Sequence, residues 1–444
     1  MTSGPLPRAS LSISAVRRGR FIYAVSTSSA SKLAALLVQL IAFPFALRAF
    51  GTERYASFLA LQSLLSWTGL CGLGLSLSLP NFIASASVAG EHDRERNLVL
   101  TAIILLGCAS IILTVLLVSL GMAVSPAEMV ASGKGVSADE LRAAYLVAAC
   151  ISAAQLFSSI EASIRSGYQE FHRASWCAII ASVFFVLPGL FFVGRYGISI
   201  SGFLLIMYAP LVFVFLVDLA LLFFQRPYLR SGPAEFWETA KKIASPSGNA
   251  LAYQVEYALI VYLPTLVVAH LCSPSQTASF GSVMQIMALG GSSLNLLFQP
   301  FMSAAANAHS HGDHNWMERN YKRFLLLIAS LGGCIFLVAA TVGPILIHQW
   351  LGKSIIVSRS LMMGFGGYFF VLSTSIFQFY VLSAMGALSG TGWIYLFQGC
   401  VAIVLGSILC MQLGAIGMIV GLTIGVAVTW WLLPVRVLRA IKRL

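Results

Sequence analysis

Charged residues are scarce in this chain. They make up 9% of 444 residues, against 58% that are hydrophobic. A water-soluble domain of this length cannot cover its surface with so few polar groups. Acidic residues are the scarcer sign, with 15 Asp and Glu against 27 Lys and Arg, for a formal net charge of +12. No Cys-x-x-Cys occurs among the eight cysteines, and most fall inside apolar runs, so neither a disulfide framework nor a metal centre is expected. A phosphate-binding loop is missing too. Gly352-Lys353-Ser354 has the tail of that motif, but Ile347 stands where its first glycine is required. No cofactor is expected, and no connection between apolar runs is long enough for a soluble catalytic domain. The basic first 20 residues lead into an apolar run of full spanning length without a small-residue cleavage site, so no removable signal is expected.

What the chain has is long apolar runs. A spanning helix needs about 20 apolar residues, and twelve such runs begin near residues 21, 56, 98, 141, 174, 200, 243, 277, 323, 360, 393 and 415. Residues 98–124 carry no charge and do not alternate apolar with polar, which excludes a barrel strand. The expected fold class is an all-α polytopic membrane protein.

The chain also repeats itself. Pro44, Ala56-Ser57-Phe58, Pro80 and Glu95-Arg96-Asn97 recur in order as Pro264, Ala278-Ser279-Phe280, Pro300 and Glu318-Arg319-Asn320, 220 to 223 residues later. An internally repeated apolar chain is the pattern of a transporter whose halves move about a central cleft. Six runs per half make the repeats parallel. The divisions expected are a basic N-terminal segment 1–20, an N-lobe 21–224, a linker 225–242, a C-lobe 243–434 and a basic tail 435–444. Pro227, Gly232 and Pro233 make the linker a hinge rather than one helix. The four repeat prolines would kink the first and second spans of each half.

Nineteen of the 27 basic residues fall on one side if the N-terminus is cytoplasmic, and seven on the other. This bias places both termini in the cytoplasm. Basic loops beside an anionic inner leaflet also account for the net charge without nucleic acid, leaving bilayer lipid as the polyanionic partner.

Few polar side chains lie inside the spans. Lys32 is about 16 Å deep by helical rise, near the bilayer centre. Ser28, Lys32 and Gln39 fall within about 40° on a helical wheel and mark a cavity-facing stripe, with a satisfied ion pair as the structural alternative. Glu256 lies two residues past the repeat equivalent of Lys32, on a stripe with Asn249 and Tyr253. Facing Lys32 across the cleft, it would form a switchable pair sensitive to H+ or Na+; a permanent pair is the alternative. Glu161 and Arg165 stand in the acid-first i,i+4 order and neutralise one another. Asp218, roughly 10 Å from the basic end of its span, is either a proton relay or a structural contact. His309, His311 and His314 beside Asp313 read as a solvated loop ahead of a metal site.

At this point the chain resembles the Wzx-type polysaccharide and O-antigen flippases of the polysaccharide transport family, within the multidrug/oligosaccharidyl-lipid/polysaccharide (MOP) exporter superfamily. The resemblance rests on the 6+6 repeat, on Phe50-Gly51-Thr52-Glu53-Arg54-Tyr55 leading into Leu73-Gly74-Leu75, and on Trp350-Leu351-Gly352. It implies a MATE-like bundle in the bacterial inner membrane that carries a lipid-linked oligosaccharide to the outer leaflet for lipopolysaccharide or exopolysaccharide synthesis, beside a glycan polymerase partner. A polyprenyl pyrophosphate needs a cation, for which Lys32 is the first candidate and Arg165 the second. Sugars need amides, hydroxyls and aromatic faces, which Gln39, Gln62, Asn249, Tyr253, Tyr257 and Gln285 supply. A cation-coupled MATE-like exporter of small molecules is the alternative function. A glycan polymerase or ligase is more remote, because it needs a large external loop.

Overall fold

The computed structural model describes residues 8–66, 75–124, 136–196, 198–232, 234–244, 248–352, 354–387 and 390–442, with side chains from Ser26 onward. The Leu73-Gly74 landmark, the side chains of Asn249 and Pro300, and Lys353 lie outside the described residues. Every described element is helical.

The first half contains α1 (Arg8–Ser66), α2 (Leu75–Ala89), α3 (His92–Ala123), α4 (Ala138–Gly167), α5 (Phe171–Ile180), α6 (Leu187–Tyr196) and α7 (Ile200–Gln225). A 3-10 turn at Pro227–Arg230 and α8 (Phe236–Ala244) follow in the expected linker. The second half contains α9 (Gly248–Tyr257), α10 (Leu263–Leu271), α11 (Pro274–Ser310), α12 (His314–Thr341), α13 (Gly343–Leu351), α14 (Arg359–Ala384), α15 (Thr391–Leu413), α16 (Ala415–Trp430) and α17 (Leu432–Lys442).

Ten helical segments are long and apolar enough to cross a membrane. The difference from twelve expected spans has local causes. The first two expected spans share α1, broken at Gly51 (φ 70, ψ 175), where the left-handed backbone ends one arm and starts the next. The eighth corresponds to α11, of 37 residues. Several spans start on a side-chain cap that occupies an otherwise orphaned amide: Ser137 accepts from Glu140 N, Ser199 from Gly202 N, Asp313 from Trp316 N and Ser358 from Leu361 N. Ile111, Ile112, Val115 and Leu116 are each more than half exposed along α3, the pattern of a helix facing lipid.

Two spans contain π-turns, Ala181–Val186 between α5 and α6 and Ala258–Tyr262 between α9 and α10. Each is followed within two residues by proline, Pro188 and Pro264. Proline lacks an amide hydrogen and collides with the preceding turn, so the helix widens there. Pro44 and Pro80 lie inside α1 and α2.

The expected linker belongs to the first half. Leu229 and Ile243 join the core built by Leu79, Val99, Ile160 and Leu222, and Ala234 N donates to Asn97 Oδ1 at 3.0 Å. A second core runs through both halves at the Gly51 end of the bundle. There the repeat landmarks meet: the Tyr55 and Ser282 hydroxyls lie 3.0 Å apart, and a Cβ on Gly281 would lie 3.2 Å from Leu59 Cβ. Trp350 Nε1 donates to Leu40 O at 2.7 Å, with its ring 6.1 Å from Phe43. Among the described residues, the hydrogen bonds that join the halves lie on this side.

Candidate functional site

Buried charge in the first half is gathered around one guanidinium. Arg165, on the last turn of α4, is fully buried. Its Nε donates to Asp218 Oδ2 at 2.7 Å, Nη1 to Glu170 Oε2 at 2.6 Å and to Gln225 Oε1 at 3.2 Å, and Nη2 to the Asp218 carbonyl at 3.2 Å. Glu161 Oε1 lies 3.6 Å from Arg165 Nε, in ion-pair range but beyond a hydrogen bond. Asp218, which had no assignable partner in the sequence, is therefore Arg165's closest carboxylate apart from Glu170.

The network continues outward. Glu170 also accepts from Arg226 Nη2 at 2.9 Å, and Arg226 stacks over the Tyr168 ring at 3.7 Å. Burial pushes the Glu170 carboxyl up, but hydrogen bonds from Arg226 and Arg165 outweigh that and hold it below the usual carboxylate range. Glu95 accepts from both Tyr168 and Tyr228. Burial, then the Glu95 carboxylate, raises the Tyr228 phenol above its ordinary value. The chain ends of α3, α4 and α7 are thus tied together by charge-assisted bonds. Glu170, Arg226 and Glu95 were not singled out in the sequence, because each sits at a span end where charge is ordinary.

Glu256 occupies a different environment. It is 2% exposed and packs against Gly399 of α15, where an added Cβ would lie 3.1 Å from Glu256 Cα. Tyr253, one turn earlier, stacks on Phe379 at 3.6 Å and 8° and meets Tyr395 edge-on at 5.4 Å. Tyr257 packs edge-on against Tyr262 and lines an apolar crevice with Met284, Met287 and Phe369. Among the described residues, no hydrogen bond or ion pair reaches the Glu256 carboxylate. Neutral polar groups complete this half's core: Tyr321 donates to Gln378 at 2.7 Å, Thr429 to Gln398 at 2.6 Å and Trp430 to Thr374 at 2.6 Å. Both glutamines are fully buried and lay unnoticed in the sequence because an isolated Gln in an apolar run has no periodic signature.

Lys32 and Glu256 do not pair in this conformation. Lys32 is partly buried on the inner arm of α1, and among the described residues no hydrogen bond or ion pair engages its ammonium. One turn earlier, Ser28 and Ser31 join Ser163, Ser166 and Ser175 around a hydroxyl-lined cavity of about 360 Å³ between α1, α4 and α5. Gln39 and Gln285 are partly buried. Gln62 is buried with Oε1 lacking a hydrogen-bond partner. The candidates therefore divide among an Arg165-centred ion cluster, a Glu256 and tyrosine core, and the α1 stripe. Among the described residues, no group of three or more His, Cys, Asp or Glu is placed to hold a metal ion; His314 Nδ1 contacts the Ile441 carbonyl at 2.8 Å instead.

No protein-family profile matches the sequence, and no curated protein matches it either. Solved structures do match. A multidrug-resistance MATE transporter of the MOP superfamily in an inward-facing conformation superposes with a TM-score of 0.76 at 14% identity, covering 94% of this chain and 99% of the other. An outward-facing MATE transporter gives 0.68 at 15% identity over 95% of this chain and 96% of the other. A MOP-superfamily transporter from Pyrococcus furiosus, described as having a binding pocket of reversed polarity, gives 0.66 at 15% identity over 94% and 96%. The chain has the fold of the MATE transporters of the MOP superfamily, over nearly its whole length.

Proposed function

We propose that this protein is a MATE-like exporter that works by alternating access, its two halves rocking about the cleft between them. The observation that carries the reading is the one-sided seal, in which the halves are bonded through Tyr55–Ser282 and Trp350–Leu40 at the Gly51 end. A transporter opened toward one compartment has this asymmetry. The higher superposition score of the inward-facing neighbour supports the same assignment. In this reading both termini are cytoplasmic, the Gly51 end is outer, and residues 21–224 and 243–434 are the moving lobes.

Glu256 is the ion-coupling group, for H+ or Na+. A buried carboxylate without a counter-ion is costly unless it holds a proton or a cation, and the surrounding tyrosine rings offer faces to an organic cation. Glu161 and Asp218 are secondary coupling groups, bound to a cluster whose disruption would loosen the inner ends of α4 and α7. The test is efflux from proteoliposomes of a fluorescent organic cation under an imposed pH or Na+ gradient. Gradient-driven efflux, lost in Glu256→Gln with the fold retained, is expected. Equal efflux with and without the gradient would overturn the coupling.

A lipid-linked oligosaccharide flippase is the second reading, favoured by the unpaired Lys32 ammonium close to the five-serine cavity. Arg165, the other cation suited to a pyrophosphate, is fully engaged by Asp218, Glu170 and Gln225. This leaves Lys32 alone to hold two phosphates, and it is why the exporter reading is preferred. Inner-leaflet accumulation of lipid-linked glycan on gene deletion, reversed by the wild-type gene but not by Lys32→Ala, would establish the flippase instead.

A further inference from the structure

The Sγ atoms of Cys272 and Cys410 lie 3.4 Å apart, although 138 residues separate them in the chain. Both cysteines are free, Cys410 buried and Cys272 partly exposed. Cys272 caps the C-terminus of α10, and Cys410 sits three residues from the end of α15, its carbonyl accepting from Gly414 N. The loops beyond them are also in contact, since a Cβ on Gly414 would lie 2.9 Å from the Gln276 amide. The approach therefore belongs to a packed junction at the Gly51 end of the second half.

We infer that Cys272 and Cys410 form a redox-sensitive disulfide that clasps the outer ends of the seventh and eleventh spans. Disulfides persist in oxidising compartments, so this inference rests on the outward placement of the Gly51 end proposed above; it does not depend on the substrate carried. The two sulfurs already touch, and side-chain rotation closes the remainder to a bond of about 2.05 Å. The reaction is thiol–disulfide exchange with a disulfide-bearing oxidant of the outer compartment. Cys272, the accessible partner, attacks as thiolate, forming a mixed disulfide and releasing one oxidant thiolate. Cys410 then attacks Cys272 Sγ and expels the second. Two electrons pass to the oxidant, which becomes a dithiol by taking up the two protons that the cysteines give up. A thiol hydrogen bond from Cys410 holds the Cys272 thiol below its ordinary pKa, which favours the first attack.

The clasp has a mechanical consequence. The seventh span carries Glu256 on α9 and Cys272 beyond α10, with the π-turn Ala258–Tyr262 and Pro264 between them. Glu256 already lies against Gly399 of α15, so a bond from Cys272 to Cys410 would fasten the same two spans at both levels. Bending at the π-turn would then have to occur between two fixed points.

The thiols of the full chain are counted in membranes by tagging with a maleimide polymer in denaturant. The chain has eight cysteines. Unreduced wild type is expected to take two fewer tags than reduced wild type, whereas Cys272→Ser and Cys410→Ser each tag equally with and without reductant. A membrane-impermeant phosphine added to sealed right-side-out vesicles is expected to restore both tags. Equal tagging of unreduced and reduced wild type overturns the inference, as does a two-tag difference that survives in Cys272→Ser. Restoration only by a permeant thiol overturns the outer placement of the bond.

Discussion

Arg165 shows how far a single side chain determines local structure here. Its guanidinium directs bonds to three side chains on or beside three different spans, a geometry that the point charge of lysine cannot reproduce. Arg165→Ala leaves Asp218 and Glu170 without their central partner and is expected to cost about 3–5 kcal/mol. Denaturant or thermal unfolding in detergent measures this, with Arg165→Lys giving little rescue. Glu170 supplies a pH signature. Its carboxyl is held below the ordinary value, so the stability it contributes is present above an unfolded pKa of about 4.3 and is lost as pH falls through the lower folded value. Glu170→Gln should lower stability at neutral pH and flatten the acid limb of a stability–pH profile; an unchanged limb would remove Glu170 from the account. At this scale the sequence was half legible. A charge inside an apolar run stands out, which is how Arg165, Glu161, Asp218, Lys32 and Glu256 were found. Partnership was not legible, because 53 residues separate Arg165 from Asp218 and no local period connects them. Glu256 was expected to face Lys32, but its helix turns it toward Gly399 and the tyrosines.

Helix against helix, the closest packing is between α15 and α16. Cβ atoms added at Gly417, Gly421 and Gly425 would lie 2.0 Å from Leu409 O, 2.4 Å from Gly406 Cα and 2.2 Å from Ala402 Cα. These glycines, four residues apart, let two backbones meet along a seam, the small-residue contact that membrane helices use in place of a hydrophobic driving force. Gly421→Val should therefore sharply reduce the yield of folded protein on size-exclusion chromatography. Gly333→Ala, with no atom within 4 Å of the new Cβ, should match wild type. Equal yields from the two variants would contradict the seam. Spans were the most legible feature of the sequence, since apolar length is set by bilayer thickness. The π-turns were not, because proline predicts a disturbance without saying whether the helix kinks, widens or ends. Gly51 was part of a recognised turn, yet its two flanking arms are continuous enough to count as one long helix.

For the whole molecule, the repeat in the sequence and the seam between halves are the same feature. Ala56-Ser57-Phe58 and Ala278-Ser279-Phe280 are buried at the junction, flanked by the Tyr55–Ser282 contact and the approach of Leu59 to Gly281. Landmarks that recur at half-chain spacing are where one half packs on the other, and neither could change alone without disturbing that contact. The sequence did not reveal which end was closed, because closure is a choice between conformations that the same residues support. If the halves rock, this seam must open in every transport cycle. The most direct measurement is transport by a Leu59→Cys/Gly281→Cys double variant, whose Cβ atoms the present geometry would bring within reach of a disulfide. Efflux of the organic cation from proteoliposomes should stop on oxidation and recover on reduction, while each single variant transports under both conditions. Undiminished efflux by the fully cross-linked chain would contradict alternating access through this seam.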